Sequence, residues 1–433
     1  MDNPPTLLAV LVGNAERSHA EIVDGYHACA REHGEDAAIT VRTLRRWMNG
    51  DVRTNARPAQ RRVARLYWGY SMTELLAPAQ FDPLAEDVRR NPPGKRRTIE
   101  RRMAMSVHRA AQFASFAEVT NIGPETVDQL RDEMARLANA YVRDPLAEII
   151  GDLIALQDNV FTLLEGKQRP TQSGDLYVIA GIVCGMLAKA SHDLARPHDA
   201  MTQARTMFVC AENAGHVPLQ AWARGQQSLI AYWAGRHEEA ARFAANGAVL
   251  LGDHTGTVAA WLPALEARAH AQLNRPDRAR TALQRASDLR DRIVLDDLDG
   301  VGGLFTFPLA KQRYYAAGSY VHIDGADSEA VTEASSSLEL FEGGDYRSFS
   351  DEAAARAELA LAHVHNGDID GASASMAEVL ALEPNRRIRG LVTTVLRLHT
   401  ALRDPRFFAS PVARDLRNEI EAYCRIPASI VAE

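Results

Sequence analysis

The chain has 433 residues, 46% hydrophobic, 24% charged and 6% aromatic, a balance that excludes a disordered or fibrous protein and leaves room for two or three domains. Its formal charge of −7 argues against a protein that coats nucleic acid along its whole length, while leaving a local basic patch open. No apolar run is read as approaching the roughly 20 residues of a bilayer span, and MDNPPTLLAVLVGN lacks a basic n-region and a cleavage site, so a cytoplasmic protein without membrane contact is expected.

The first predicted helix with a clear start begins at Ser18. Ser18 and Glu21 have capping-box spacing, and Ile22, Tyr26 and Cys29 fall on one helical face. After the polar EHGED turn, Thr40 is placed to cap VRTLRRWMN, with Gly50 as its C-terminal stop. Leu44 and Trp47, three apart, face the core, which leaves Arg42, Thr43, Arg45 and Arg46 on the exposed side, where guanidinium groups reach phosphates and guanine edges. Pro58 suits the first position of a further helix carrying Val63, Leu66 and Tyr67 at apolar spacing. A second capping box, Ser71 with Glu74, opens a short helix with Leu75 and Leu76. These pieces make a compact five-helix domain over residues 1–77. One face of it is rich in arginine: from Ala38 to Tyr70, Arg42, Arg45, Arg46, Arg53, Arg57, Arg61, Arg62 and Arg65 are opposed only by Asp51.

Pro78, Pro83, Pro92 and Pro93 with Gly94 interrupt any helix, so residues 78–97 read as a linker and domain boundary. Arg89, Arg90, Lys95, Arg96, Arg97, Arg101 and Arg102 make it basic, either to track phosphates or simply to remain solvated. Residues 98–170 read as a helical connector. Helical spacing continues to the end and no sustained period-2 run appears, so the fold class is all-α.

Residues 171–433 repeat. A turn residue, a small residue five positions later and an apolar one four further on recur as Gly235, Ala240, Ala244; Asn274, Ala279, Leu283; and Gly367, Ala372, Met376. Looser copies are Ala195, Ala200, Ala204 and Gly325, Ala330, Ala334, and the small residues step by 40, 39, 51 and 42 positions. Each copy is two helices joined by a tight turn, the small residue letting them pack closely and stacking of hairpins burying a continuous core. The long step contains DDLDGVGGLFTFP, Asp296 to Pro308, whose Leu304, Phe305 and Phe307 want burial. It reads as a lid, a dimer contact or an ordinary irregular insertion.

Enzyme hardware is absent: no Walker loop, GxGxxG, GxSxG, HExxH or paired metal ligands occur, so neither catalysis, a cofactor nor a metal is expected. Cys29, Cys184, Cys210 and Cys424 form no CxxC pair and read as inert thiols. His237 with Glu238 and Glu239 reads as the polar start of a repeat helix, and His19, His27 and His33 as surface residues. Trp222, Arg224, Trp233, Trp261, Arg268, Arg313, Tyr314 and Tyr315 fall on the first helices of the repeats. There they either line a groove for an effector or belong to inter-helix packing, Trp233 in particular reading as core.

TLRRWMNGDVRTNARPAQRRVARLYWGYSMTELL, Thr43 to Leu76, resembles the second half of the lambda-repressor-like (XRE-type) helix-turn-helix domain. The stretch from Ser18 to Trp47 is longer than that family's spacing, which predicts a lengthened second helix and loop. The resemblance implies that Thr40 to Asn49 is a recognition helix, with Arg42, Thr43, Arg45 and Arg46 as base or phosphate contacts and Asn49, Arg53 and Arg57 as backbone clamps. The C-terminal pattern resembles tetratricopeptide repeats. Together the two resemble actinobacterial regulators and the peptide-sensing quorum regulators. The combination implies a homodimeric transcription factor on a double-stranded DNA operator, answering to a small-molecule or peptide effector. The other reading of the residues is a repeat-based protein-interaction adaptor without specific DNA binding.

Overall fold

The structure is a computed structural model and describes residues 6–13, 15, 17–50, 56–78, 103, 105–107, 109–113, 119–344 and 346–425. Every regular element among them is a helix, and their one extended pairing is an isolated antiparallel bridge between Thr6 and Pro78. The chain divides into two compact units, residues 1–112 and 113–433.

The small unit contains α1 (Leu7–Gly13), α2 (His19–Glu32), α3 (Val41–Met48), α4 (Pro58–Trp68) and α5 (Met72–Leu76). Its helix starts follow from local chemistry. The Glu21 carboxylate accepts from the Ser18 N–H at 2.7 Å, and that of Glu74 from the Ser71 N–H at 2.7 Å, each completing a reciprocal capping box. The Thr40 hydroxyl accepts from the Thr43 N–H at 3.1 Å. Leu8, Ile22, Tyr26, Leu44, Trp47, Val63 and Leu75 fill the core. Tyr26 is its centre: it meets Trp47 and Tyr67 edge-on at 6.4 and 6.0 Å, and its hydroxyl donates to the Gln60 carbonyl at 2.9 Å. Leu66, expected to face inward, is instead 51% exposed. The buried stripe of α4 is centred between Val63 and Ala64, and Leu66 lies on the opposite flank from Ala64.

In the large unit the helices pair as hairpins. They run from Pro124–Ala140 with Leu146–Leu164, through Pro170–Asp193 with Pro197–Asn213, Val217–Trp233 with His237–Leu251 and Val258–Gln272 with Pro276–Arg290. Leu309–Tyr320 with Asp327–Gly343, Phe349–His365 with Ile369–Leu380, and Arg389–Ala401 with Pro411–Cys424 complete the series. The five turn positions of the repeat pattern all have left-handed backbone: Ala195 at φ 64°, Gly235 at 74°, Asn274 at 54°, Gly325 at 75° and Gly367 at 81°. Such a residue returns the next N–H to the helix end it has just left, as in Arg196 to Ser191, Arg236 to Ala231, Arg275 to His270 and Asp368 to His363, at 2.8–3.0 Å. The small residues five positions later, Ala200, Ala240, Ala279, Ala330 and Ala372, have no exposed surface, so the second helix closes onto the first without a side chain to hold it off.

The helices Pro124–Ala140 and Leu146–Leu164 share this unit's core, with Leu137, Leu153 and Val160 packed in one cluster with Leu176 and Ile179. Pro170–Asp193 corrects the reading of the apolar runs. It is long and apolar enough to cross a membrane by composition, yet most of it is buried as the unit's central helix.

Within the insertion, Asp297–Val301 is helical and Gly303–Phe305 forms a 3-10 turn. Leu304, Phe305 and Phe307 are buried in the core. The Asp299 carboxylate accepts from the Thr257 N–H at 3.0 Å and from its hydroxyl, and that hydroxyl in turn accepts from the Phe307 N–H at 3.1 Å. Gly303 presses the insertion onto helix Pro124–Ala140: at φ 52°, a Cβ there would stand 2.1 Å from the Ala138 carbonyl oxygen.

Candidate functional site

Two places gather chemistry, one in each unit. On α3, burial of Leu44 and Trp47 fixes the helix rotation, which puts Arg42, Arg45, Arg46 and Asn49 at positions i, i+3, i+4 and i+7 on the exposed face. Thr40 is exposed at the helix start, and Thr43 is half-buried, its hydroxyl 3.0 Å from that of Thr40. Arg45 leans towards α2, its Nε donating to His19 Nδ1 at 3.3 Å. Arg57 is exposed at the N-cap of α4, where its backbone N–H donates to Gln60 Oε1 at 3.0 Å. Arg53 and, of the linker expected at 78–97, all but Pro78 lie outside the described residues.

Not all the arginines of this region are available to a partner. Arg62 is held by Glu35 in a two-pronged ion pair at 2.5 and 2.8 Å, and its guanidinium keeps the Glu35 carboxyl below the ordinary carboxylate range. Arg61 Nε caps the Ala56 carbonyl at 2.9 Å. His27 is not a bare surface residue: its Nε2 accepts from the Ile39 N–H at 3.0 Å and so pins the long loop between α2 and α3.

The second place is a cavity in the large unit, with about 50 Å³ of interior space. The first helices of successive hairpins line it, together with the insertion. Of the residues singled out as an effector site, Trp222, Trp261, Arg268, Tyr314 and Tyr315 converge here, joined by Trp233. Arg224 and Arg313 do not. Arg224 stacks on Phe208 at 3.8 Å and donates to Gln227, and Arg313 pairs with Glu333 at 2.8 Å, so packing and ion pairing already occupy both.

Trp222 and Trp261 lie 4.3 Å apart between ring centres. This is possible because position 225 is glycine, where a Cβ would meet the Trp261 ring at 2.4 Å. Phe305 packs on Trp222 at 5.5 Å, and Phe307 on Tyr315 at 5.3 Å. The insertion therefore packs as a wall of the cavity through Leu304, Phe305 and Phe307, while its Asp297 and Gly300 stay exposed.

Sequence reasoning missed the cavity's charge arrangement. Lys189 pairs with Asp193 at 2.6 Å, and Asp193 also accepts from the Tyr141 hydroxyl at 2.9 Å. Lys311 pairs with Asp351 at 3.1 Å, and Asp351 accepts from the Tyr346 hydroxyl at 3.0 Å. Arg268, 1% exposed, is ringed by Tyr232, Tyr315, Trp233 and Tyr314 at 4.6 to 5.5 Å. Its Nε and Nη2 have no hydrogen-bond partner, nor have Trp222 Nε1, Trp261 Nε1, Gln226 Oε1 or either oxygen of the buried Glu358. Burial pushes the Glu358 carboxyl up, and Arg268 and Arg397 only partly offset this. Burial also lowers the neighbouring His192 to about 4. A usable signal was present: the chain has only four lysines, Lys95, Lys167, Lys189 and Lys311, and two of them line this cavity.

Among the described residues no group of three His, Cys, Asp or Glu is placed to hold a metal ion. Comparison with protein-family models and with curated proteins finds no match to either.

Proposed function

We propose that this chain is a sequence-specific DNA-binding transcriptional regulator, acting as a homodimer, whose repeat domain binds a small effector and modulates operator binding. The observation that carries the reading is the exposed face of α3. Three guanidinium groups and an amide, at i, i+3, i+4 and i+7, stand on a helix whose opposite side is anchored by Leu44 and Trp47. A helix presented in this way fits the major groove, with arginine forks matching guanine edges and phosphates. The five-helix order of the small unit supports its reading as a lambda-repressor-like domain. The left-handed turns and fully buried small residues of the large unit support a tetratricopeptide-like solenoid, whose first helices line the effector cavity.

The test is selection of genomic fragments with the full-length protein at about 0.15 M salt, repeated with Arg45→Ala/Arg46→Ala. A two-fold-symmetric site enriched by the parent and lost in the folded variant is the expected result. Each base contact removed costs about 1–3 kcal/mol of discrimination. If the variant keeps the parent's operator affinity, the assignment fails. If the parent prefers no DNA sequence with or without cell extract, the chain is an adaptor.

A further inference from the structure

Resting on the reading of this cavity as an effector site, we propose that its ligand is a short-chain organic acid. The carboxylate sits on Arg268, and the apolar tail lies against Trp222 and Trp261.

The argument starts from imbalance. The two lysines of the cavity wall are each matched by a carboxylate that a tyrosine hydroxyl also supports, so neither needs a ligand. Arg268 differs: it is almost fully buried, carries a charge that is never released, and leaves Nε and Nη2 without partners. The aromatic rings around it offer π-faces, and no acceptor lies within hydrogen-bond reach of Nε or Nη2. A carboxylate matches that fork with two parallel hydrogen bonds.

The remaining unpartnered groups point to the same chemistry. Trp222 and Trp261 supply two further N–H donors, which with Arg268 Nε and Nη2 outnumber the three unpartnered acceptor oxygens here, Gln226 Oε1 and the two of Glu358. Donors in excess select a ligand that presents acceptors. Glu358 also lies close by: a Cβ on Gly318 would come within 3.0 Å of its Oε1 and 3.7 Å of Arg268 Nε. The carboxyl makes no hydrogen bond to the guanidinium, which leaves the fork open.

Size narrows the class. A water needs about 10–15 Å³ of such interior space, so about 50 Å³ holds a few waters or a carboxylate with a short tail, and not a peptide backbone. Aromatic walls favour an apolar tail over a second charge, which distinguishes the acid from phosphate.

The experiment uses the full-length protein and three probes of one length: propionate, propionamide and propylamine, with inorganic phosphate as a fourth. Saturation-transfer NMR titrations read binding. Propionate is expected to saturate one site per chain, with the amide at least tenfold weaker and the amine and phosphate not competing. Arg268→Gln is expected to abolish propionate binding while circular dichroism stays helical. Should that variant unfold, Trp222→Phe keeps an aromatic side chain, removes one N–H and is expected to weaken propionate severalfold. Arg224→Gln, outside the cavity, leaves binding unchanged.

No propionate binding up to about 10 mM overturns the inference. So does equal binding of acid and amide, equal competition by phosphate, or a folded Arg268→Gln protein that binds as the parent does. Because the titration contains no DNA, its failure leaves the operator-binding reading standing. Propionate that binds but does not alter operator affinity supports the pocket and removes its regulatory role.

Discussion

Two glycines three residues apart in the insertion make opposite predictions. Gly303 has a left-handed backbone at φ 52°, and an added Cβ would stand 2.1 Å from the Ala138 carbonyl oxygen and 2.5 Å from its carbon. Both neighbours are backbone atoms of a packed helix and have no rotamer to change. Gly303→Ala therefore costs about 1–2 kcal/mol for the conformation and about 1–3 kcal/mol for overpacking, as the insertion lifts from helix Pro124–Ala140. Gly300, in helix Asp297–Val301, has nothing within 4 Å of its Cβ position. Gly300→Ala should be neutral or stabilising by about 0.5–1 kcal/mol, through the unfolded chain. Thermal unfolding of the full chain by circular dichroism separates them: the large unit's transition falls on the order of 5 °C for Gly303→Ala and holds or rises for Gly300→Ala. Equal midpoints for the two variants would refute the close approach described at Ala138.

The turns give a second pair. Ala195→Gly should stabilise the large unit by about 1 kcal/mol, since Ala195 carries a Cβ at φ 64°, whereas Asn274→Gly should gain less because asparagine tolerates this region; urea denaturation ranks them. Trp47→Ala should lower the small unit's stability by about 3–5 kcal/mol and leave the large unit's transition in place, as two-stage calorimetry would show; a change in the large unit alone contradicts it. For His192 the folded-state pKa of about 4 lies below the ordinary 6.5, through burial, with Asp193 opposing and Lys189 and Arg389 assisting. The unfolded chain therefore binds the extra proton, and the group's contribution is fully present above pH 6.5 and lost as pH falls towards 4. Stability curves of the parent and His192→Gln should diverge only in that window, and parallel curves would refute it.

The clearest sequence signals were local. Ser18 with Glu21, Thr40 and Ser71 with Glu74 mark helix starts because a side chain and a backbone N–H a few residues apart are enough to make a cap. The five turn positions were legible for the same reason, including the non-glycine Ala195 and Asn274, whose register five residues before a buried alanine outweighs their identity. Leu66 was misplaced because its neighbours alone do not tell which way a half-buried helix is rotated. The cavity was legible only in part. Trp222, Trp261, Arg268, Tyr314 and Tyr315 share the first-helix register that brings them together, but so do Arg224 and Arg313, which the adjacent Phe208 and Glu333 occupy. Pairs such as Lys311 with Asp351 or Asp299 with Thr257 join residues about 40 positions apart through the stacking of hairpins, and no local pattern announces them.

The five-helix part of the small unit, residues 6–78, is closed on itself. The Leu7 N–H donates to the Ala77 carbonyl at 3.0 Å, Thr6 bridges to Pro78, and the Thr6 hydroxyl donates to the Met48 carbonyl at 2.7 Å. The two ends of this five-helix part, at residues 6–7 and 77–78, therefore meet at a single spot, as the two ends of a purse string do. A fold with adjoining ends tolerates being cut elsewhere and rejoined there, or being spliced into a loop of another protein, without disturbing its core. The arginine-bearing helix is thus carried by a cassette that can be moved between chains as roughly one short domain.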